Sequence, residues 1–199
     1  MTYDLILALI AFAAVSSITP GPNNLMLMAS GANFGLIRTF PHMLGVSIGF
    51  VFMVVLVGIG LVQVFDAFPV TYTVLKVASV SYLLYLAWKI ASNRKPPRGA
   101  DTGSTPMTFL QAAAFQWVNP KAWSMALTAL GVYAPPSPTL INIVIVAVVF
   151  GLTNLPAITT WVLMGQQMSR FLNTPRRLML FNVTAGLLLV ATLYPILWP

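Results

Sequence analysis

The chain has 199 residues, of which 58% are hydrophobic and only 7% are charged. A soluble domain typically carries about 25% charged residues, so this composition leaves too little polar surface for a water-soluble globule and predicts a membrane protein. Ten Lys and Arg residues against three Asp give a formal net charge of +7. In a membrane protein such an excess reports topology, whereas a nucleic-acid partner would need a basic face on a soluble fold. The lack of cysteine excludes disulfides, thiolate metal sites and thiol redox chemistry in this chain.

Six apolar segments are long enough to cross a bilayer, which requires about 20 helical residues. They are predicted at residues 5–34, 42–64, 70–91, 107–133, 140–168 and 178–198. The first segment is interpreted as a membrane helix, not as a cleaved signal peptide, because no Lys or Arg precedes it and Asp4 does. Residues 1–91 and 107–199 form two halves of three spans, joined by the polar linker 92–106. Three spans per half give the halves opposite polarity, so we predict an all-α polytopic membrane protein of two inverted three-helix repeats.

The charges of the connections predict the orientation of this fold. Eight basic residues lie in the three connections on one side of the membrane: Arg38, Lys89, Arg94, Lys95, Arg98, Arg170, Arg176 and Arg177. The other side holds both ends of the chain and the turns at 66–69 and 134–138, and it has no Lys or Arg. Basic connections stay in the cytoplasm, so both termini are predicted to be periplasmic.

Proline interrupts the first and the fourth span at matching positions, with Pro20 and Pro120 lying 100 residues apart. The first interruption reads Thr19-Pro20-Gly21-Pro22-Asn23-Asn24. Its prolines remove backbone donors, so a helix is expected to end near Ile18 and a new one to start after Gly21. In lipid the freed backbone groups must be satisfied by protein, water or ligand. The negative end of one half-helix and the positive end of the next suit the ammonium and the carboxylate of a zwitterionic amino acid.

The second interruption, Asn119-Pro120-Lys121, is cationic. Asn119 is expected to cap the helix that restarts, with Pro120 as its first residue. Lys121 adds a positive charge beside a positive helix end and so favours a carboxylate; alternatively, it is structural and pairs with carbonyls that the break frees. At about 1.5 Å per residue both breaks lie near the midplane of a core about 30 Å thick. Such a pair of breaks is typical of the substrate site of an inverted-repeat transporter.

Three further polar residues inside the spans are candidates for function. Asn154, in the fifth span, either lines the cavity or joins neighbouring helices by hydrogen bonds. Lys76 lies within snorkelling reach of the outer interface, and His42 is expected at the cytoplasmic interface. All three Asp residues lie outside the spans, so proton coupling would fall to Lys121, His42, Lys76 or the substrate.

Two pairs of glycines have the small-xxx-small spacing of close helix packing: Gly31 with Gly35, and Gly45 with Gly49. Packing within the chain is the expected role of both pairs. Pairing between two copies in a homodimer is the alternative.

Two other classes of protein fit the sequence less well than a transporter. An intramembrane enzyme would need a His-Glu metal motif, paired aspartates or a Gly-x-Ser-x-Gly elbow, and none of these occurs. A Walker-type glycine loop is also missing, so direct use of ATP is not expected. No bound metal and no cofactor are predicted. A small structural or channel subunit is the other alternative; a channel would have a continuous polar lining, whereas the polar groups here cluster at two breaks.

The proline-glycine-proline block at residues 19–24 resembles the N-terminal signature of the LysE/RhtB family of amino-acid exporters. The resemblance continues at residues 31–38, 45–49, 76, 82–89 and 119–121 and so covers essentially the whole chain. It implies export of amino acids or close metabolites through the bacterial inner membrane, driven by the proton gradient. The doubled asparagine resembles the cysteine/O-acetylserine branch; the homoserine, threonine, leucine and lysine branches remain open. The predicted substrate site comprises Thr19, Pro20, Gly21, Pro22, Asn23, Asn24, Asn119, Pro120, Lys121 and Asn154.

Overall fold

The computed structural model describes residues 1–93, 105–135, 138–172 and 174–197, and this part of the chain is helical apart from short connections. The α-helices are α1 (Tyr3–Ile18), α2 (Pro22–Leu56), α3 (Val62–Ala67), α4 (Val70–Ala91), α5 (Phe109–Phe115), α6 (Pro120–Tyr133), α7 (Leu140–Met168), α8 (Pro175–Ala191) and α9 (Tyr194–Leu197). A π-helical turn, Val57–Leu61, joins α2 to α3, and a 3₁₀ turn, Gln116–Val118, follows α5. The described residues contain no strand, and the all-α prediction is confirmed for them. Arg94, Lys95 and Arg98 of the predicted cytoplasmic connection lie outside the described residues.

Within the described ranges, three helical segments are long and apolar enough to cross a membrane: Pro22–Leu61, Val70–Ala91 and Leu140–Met168. The last two coincide with the third and fifth predicted spans. The apolar helix α1 has only 16 residues. Large apolar side chains are exposed along these helices, as at Val74 and Leu152. An apolar outer surface of this extent is suited to lipid, because contiguous exposed apolar patches are rare on soluble monomers.

The connection predicted between the first two spans is a kink inside one long helix. α2 passes through it with a single non-helical residue, Gly35, at φ 78° and ψ 173°. Glycine adopts this positive φ without a side-chain clash. The backbone N–H of Leu36 donates to Oε1 of Gln166 on α7 at 2.9 Å, which satisfies a donor at the kink. Arg38, predicted in a cytoplasmic loop, therefore lies on a helix, and Gly35 serves the kink instead of close packing.

The first part of α2 (residues 22–34) and α7 pack with their backbones in contact. A Cβ atom on Gly31 would collide with the carbonyl group of Val162, and one on Gly165 would collide with the carbonyl group of Met28. Each helix thus has one glycine that lies against the backbone of the other helix. The packing role predicted for Gly31 is confirmed.

The second part of α2 (residues 36–56) packs against α5 in the same way. A Cβ atom on Gly45 would collide with the carbonyl group of Phe109, and one on Gly49 would lie 2.6 Å from Cα of Ala113. Elsewhere α1 packs against α7, and α4 packs against α8. These contacts bring the start of α2 and the start of α6 to the same region of the protein.

An apolar cluster fills the end of the bundle near the N-terminus, between α1, α2, α6 and α7. We call it the termini-side cluster; its buried members are Leu9, Ala13, Phe50, Met53, Val54, Val57, Ala122, Met125, Ala126, Ala129, Ala134, Val146, Ala147 and Phe150. Aromatic rings brace it, with centroids 5.2 Å apart for Phe50 and Phe150 and 5.3 Å apart for Phe12 and Tyr133. The cluster closes this end of the bundle with dense packing.

Candidate functional site

Both predicted breaks are present, and the structure brings them together. α1 ends at Ile18, Thr19 and Gly21 are extended, and α2 begins at Pro22. At the second break Asn119 is extended, with φ −92° and ψ 108°, and α6 begins at Pro120. The side chain of Asn119 accepts a hydrogen bond from the backbone N–H of Lys121 at 3.1 Å, as the capping prediction requires.

Lys121 joins the second break to the first. Its Nζ atom donates to the carbonyl oxygen of Thr19 at 2.7 Å, to Oγ1 of Thr19 at 2.8 Å and to the carbonyl oxygen of Pro20 at 3.4 Å. The ammonium thus lies at the C-terminal end of α1, where the helix dipole favours a cation. Of the two interpretations of Lys121, this conformation shows the pairing with freed carbonyls, and the carbonyls are those of the other break.

Each carbonyl oxygen from residue 15 to residue 21 accepts a hydrogen bond from within the protein. The backbone N–H of Thr19 donates to the carbonyl of residue 15, its Oγ1 to that of residue 16, and the backbone N–H of Leu25 to that of residue 21. Nδ2 of Asn24 donates to the carbonyls of residues 17 and 19, and Nε1 of Trp161 to that of residue 18. Nζ of Lys121 donates to the carbonyls of residues 19 and 20. A helix break inside a bilayer requires such complete pairing, because the hydrocarbon core holds no water that could bind the carbonyl groups. Three of the donors are side chains that were predicted to belong to the site, those of Thr19, Asn24 and Lys121.

A pair of side-chain amides forms a second link between the breaks. Nδ2 of Asn23 donates to Oε1 of Gln116 at 2.8 Å, and Nε2 of Gln116 lies 3.3 Å from Oδ1 of Asn23. Gln116 is fully buried and also donates to the carbonyl oxygen of Ala112 at 2.9 Å. The sequence analysis missed Gln116. The signal was a glutamine well inside an apolar span, three residues before Asn119.

A cavity of about 20 Å³ lies between the breaks, lined by Asn23, Asn24, Gln116, Lys121 and Asn154 among others. That volume holds about one water molecule. Oδ1 of Asn154 and Oγ of Ser17 are buried there with no hydrogen-bond partner among the described residues. Asn154 therefore lies on the cavity wall, one of its two predicted positions. An amino acid fits only if the break segments separate.

Gly21 makes room for the lysine. Its φ of −178° is extended backbone that any residue can adopt. A Cβ atom there would lie 2.6 Å from Cδ of Lys121 and 3.2 Å from Nζ. The glycine is required by the close approach of the lysine stem, and not by its own backbone conformation.

The structure does not bring the other two proton-coupling candidates to the breaks. His42 was expected at the membrane interface, but its side chain is buried and only 2% exposed. It lines a different cavity. Lys76 is exposed on the surface of α4 and lines neither cavity. Among the described residues, no group of three or more His, Asp and Glu side chains could hold a metal ion.

Apolar helices long enough to span a bilayer, with two broken segments whose polar groups meet inside the protein, define a helical membrane protein with a buried polar site. The chain belongs to the LysE type translocator family, whose model matches residues 14–192. The resemblance to this family is thereby confirmed, and the chain is a membrane transport protein.

Curated relatives cover nearly the whole chain. It is 30% identical over 193 residues to a protein named "Cysteine/O-acetylserine efflux protein" from Escherichia coli O1:K1 / APEC, which covers 96% of both chains. It is 29% identical, with the same coverage, to the proteins of that name from Escherichia coli (strain K12) and Shigella sonnei (strain Ss046). No solved structure matches this chain.

Proposed function

We propose that this chain exports a small neutral amino acid or close metabolite, of the cysteine or O-acetylserine kind, across the bacterial inner membrane. Membership in the translocator family and the names of the relatives support the direction and the substrate class. The observation that carries the proposal is the primary ammonium of Lys121, held by the oxygens of Thr19 and Pro20. An amino acid presents the same chemical group.

Substrate binding is an exchange of one ammonium for another. The α-ammonium of the substrate replaces Nζ of Lys121 at the carbonyl oxygens, and the released lysine pairs with the substrate's carboxylate. Lys121 lies in the first turn of α6, where the helix dipole also favours an anion. The exchange keeps every buried charge paired, which a membrane interior requires.

The same exchange disfavours a dicationic substrate of the lysine type. Such a substrate brings a second ammonium, and no carboxylate lines the cavity at the breaks. An unpaired charge at that depth costs several kcal/mol. Homoserine, threonine and branched-chain amino acids carry no second charge and remain alternatives within the proposal.

The proposed transport cycle is alternating access in a six-span protein of two inverted repeats. The packing of α1 on α7 and of α5 on α2 supports the repeats, since each places the first half-helix of one half against a long helix of the other half. The termini-side cluster is closed, whereas a cavity of about 380 Å³ opens near residues 92–93 and 105–107. With the predicted orientation, this conformation faces the cytoplasm and is the loading state.

Proton antiport is the proposed driving reaction. Lys121, His42 and Lys76 are the candidate carriers, and Lys121 is the one that substrate exchange frees from its carbonyl partners. The substrate's carboxylate favours the protonated form of Lys121 while it is bound, and this preference is lost when the substrate leaves. Protonation of the lysine is thereby coupled to transport.

Counter-flow in proteoliposomes tests the proposal. Vesicles preloaded with unlabelled amino acid should transiently accumulate labelled cysteine or O-acetylserine, with homoserine, threonine, leucine and lysine as the comparison panel. A channel would equilibrate the label without overshoot. Absence of counter-flow for every neutral amino acid would contradict the proposed function. A transport rate that does not change when a proton gradient is imposed would contradict the antiport.

A further inference from the structure

A second cavity, of about 380 Å³, lies between the end of α4, residues 105–107 and both parts of α2, with His42 on the part after the kink. Ligand pockets in proteins have volumes of about 300–1,000 Å³, so this cavity can hold a small molecule. It contains none of the residues that line the cavity at the breaks. We call it the loop-side cavity.

His42 is the least satisfied polar group on its wall. The side chain is 2% exposed, and neither Nδ1 nor Nε2 has a hydrogen-bond partner among the described residues. A neutral imidazole offers one donor and one acceptor. Buried polar side chains nearly always have a partner, so two unused ring nitrogens beside a cavity indicate a ligand.

Neighbouring amides do not supply that partner, because they bind one another. Nδ2 of Asn93 donates to Oδ1 of Asn33 at 3.0 Å, and Nδ2 of Asn182 donates to the carbonyl oxygen of Asn93 at 2.7 Å. Nδ2 of Asn33 donates to the carbonyl oxygen of Ala29 at 2.7 Å. This network joins the first part of α2, the end of α4 and α8, and it fixes the wall of the cavity that faces away from the second part of α2, which carries His42.

The electrostatics of the wall select the ligand class. Among the described residues that line the cavity, Lys89 carries a permanent positive charge and no residue is acidic. Its exposed ammonium favours a carboxylate at the mouth, while His42 offers an acceptor for an amine deeper in the wall. Met26 and Leu86 supply apolar surface for a small side chain.

A thin apolar layer separates the two cavities. Met26 lines the loop-side cavity and lies one helical turn after Asn23, which lines the cavity at the breaks, a rise of about 4.5 Å. Met26 packs in one buried cluster with Phe115, the neighbour of Gln116. A ligand in the loop-side cavity is therefore one short step from the breaks.

We propose that the loop-side cavity is a separate loading site for a zwitterionic amino acid, with its carboxylate at Lys89 and its amine at His42. The identity of the ligand rests on the proposed function. The amino acid binds here first and reaches Lys121 only after Met26 and Phe115 move.

Thiol labelling in this cysteine-free chain tests the site without requiring transport. Ser92 is exposed and lines the cavity, so a Ser92→Cys variant reports its occupancy. Saturating O-acetylserine, which has no thiol, should slow labelling of Ser92→Cys several-fold and leave Gln167→Cys, an exposed residue away from the cavity, unchanged. Unchanged labelling of Ser92→Cys overturns the inference.

Substitutions separate the site from a remote conformational effect. In the Ser92→Cys background, His42→Leu and Lys89→Gln should each abolish protection or raise the O-acetylserine concentration needed for half-maximal protection by about tenfold. This is the loss expected for one charged or buried hydrogen bond. His42→Asn, which keeps polar atoms, should retain part of it, and Arg170→Gln should match the parent. Full protection in His42→Leu and Lys89→Gln contradicts the site. Because Lys89 is exposed, its variant is not at risk of misfolding.

The two proposals fail in different ways. Protection at Ser92→Cys without counter-flow supports the loading site and contradicts the proposed export. Counter-flow of O-acetylserine without protection supports export and contradicts the loading site.

Discussion

The ammonium of Lys121 lies 2.7 Å from the carbonyl oxygen of Thr19, a residue 102 positions earlier in the chain. This contact ties the first turn of α6 to the last turn of α1. Of the two roles expected of Lys121, this conformation shows the pairing with freed carbonyls, and the ammonium neutralises the carbonyl dipoles of the opposite break. The position that a substrate ammonium would take is thus filled by a tethered ammonium.

Replacing Lys121 by Met should abolish most transport while preserving the fold. Methionine keeps an apolar stem of similar length but removes the ammonium, so the substrate's carboxylate loses its partner. A hydrogen bond to a charged group contributes about 1.5–3 kcal/mol, which corresponds to a loss of roughly tenfold or more in transport rate at subsaturating substrate. The measurement is initial counter-flow with expression and melting temperature as controls.

The exchange mechanism makes a second prediction for Lys121→Ala, which removes the stem of the lysine as well as its ammonium. Propylamine, which resembles the end of a lysine side chain and has no carboxylate, should raise the melting temperature of Lys121→Ala more than that of the wild type. The reason is that only the variant leaves the oxygens of Thr19 and Pro20 without their ammonium. Equal shifts in both proteins would show that the oxygens do not form an ammonium site.

Gly21→Ala should displace the lysine without touching it chemically. The new methyl group would lie 2.6 Å from Cδ of Lys121, and the flexible stem can yield by leaving the carbonyl oxygens. We expect transport to fall several-fold, since a shift of the stem from 2.6 Å to an ordinary contact of 3.4 Å or more moves Nζ out of the range of its short hydrogen bonds. Gly131→Ala is the matched control, because nothing lies within 4 Å of its Cβ position. Equal transport by both variants would contradict the role given to Gly21.

Much of the fold could be predicted from sequence because proline and hydropathy act locally. Pro20 and Pro22 determine where α1 ends and α2 begins through missing donors and fixed φ, whatever the tertiary contacts. Asn119 and Pro120 do the same for α6. The bounds of α4 and α7 follow from the length of their apolar runs.

The parts that could not be predicted depend on contacts between distant residues. Gly35 ends one helix segment without a loop because the next backbone N–H, that of Leu36, donates to Gln166, which lies 130 positions after Leu36 in the chain. The pairing of Gln116 with Asn23 and the direction of Lys121 likewise depend on how the two halves pack. Local propensity carries no information about these choices.

The predicted orientation can be checked with two single cysteines. Ala67 and Ser92 are exposed at opposite ends of α4. With basic connections in the cytoplasm, Ala67→Cys should react with a membrane-impermeant maleimide in intact spheroplasts, and Ser92→Cys should react only after permeabilisation. The reverse pattern would invert the topology and turn the loop-side cavity outward. Each cysteine serves as the control for the other, since the chain has none of its own.

A double-mutant cycle on Asn23 and Gln116 should show strong coupling. Asn23→Leu leaves the amide of Gln116 buried without its partner, and Gln116→Leu does the same to Asn23. Each single change should therefore destabilise the protein by about 1–3 kcal/mol, the cost of an unsatisfied buried polar group. The double variant should be less destabilised than the sum, by about 0.5–3 kcal/mol.

Asn23→Leu combined with Gln167→Leu provides the matched control for the cycle. Gln167 is exposed near the end of α7, so the two effects should add. The measurement is unfolding in detergent, paired with counter-flow. The amide pair links the two breaks, and an apolar contact between two leucines can replace this link in the folded protein. Leucine side chains cannot, however, form hydrogen bonds to a polar substrate when the breaks separate. The double leucine variant should therefore lose more of its transport than of its stability. Additive losses in the Asn23–Gln116 cycle, or full transport by the double variant, would remove the pair from the proposed site.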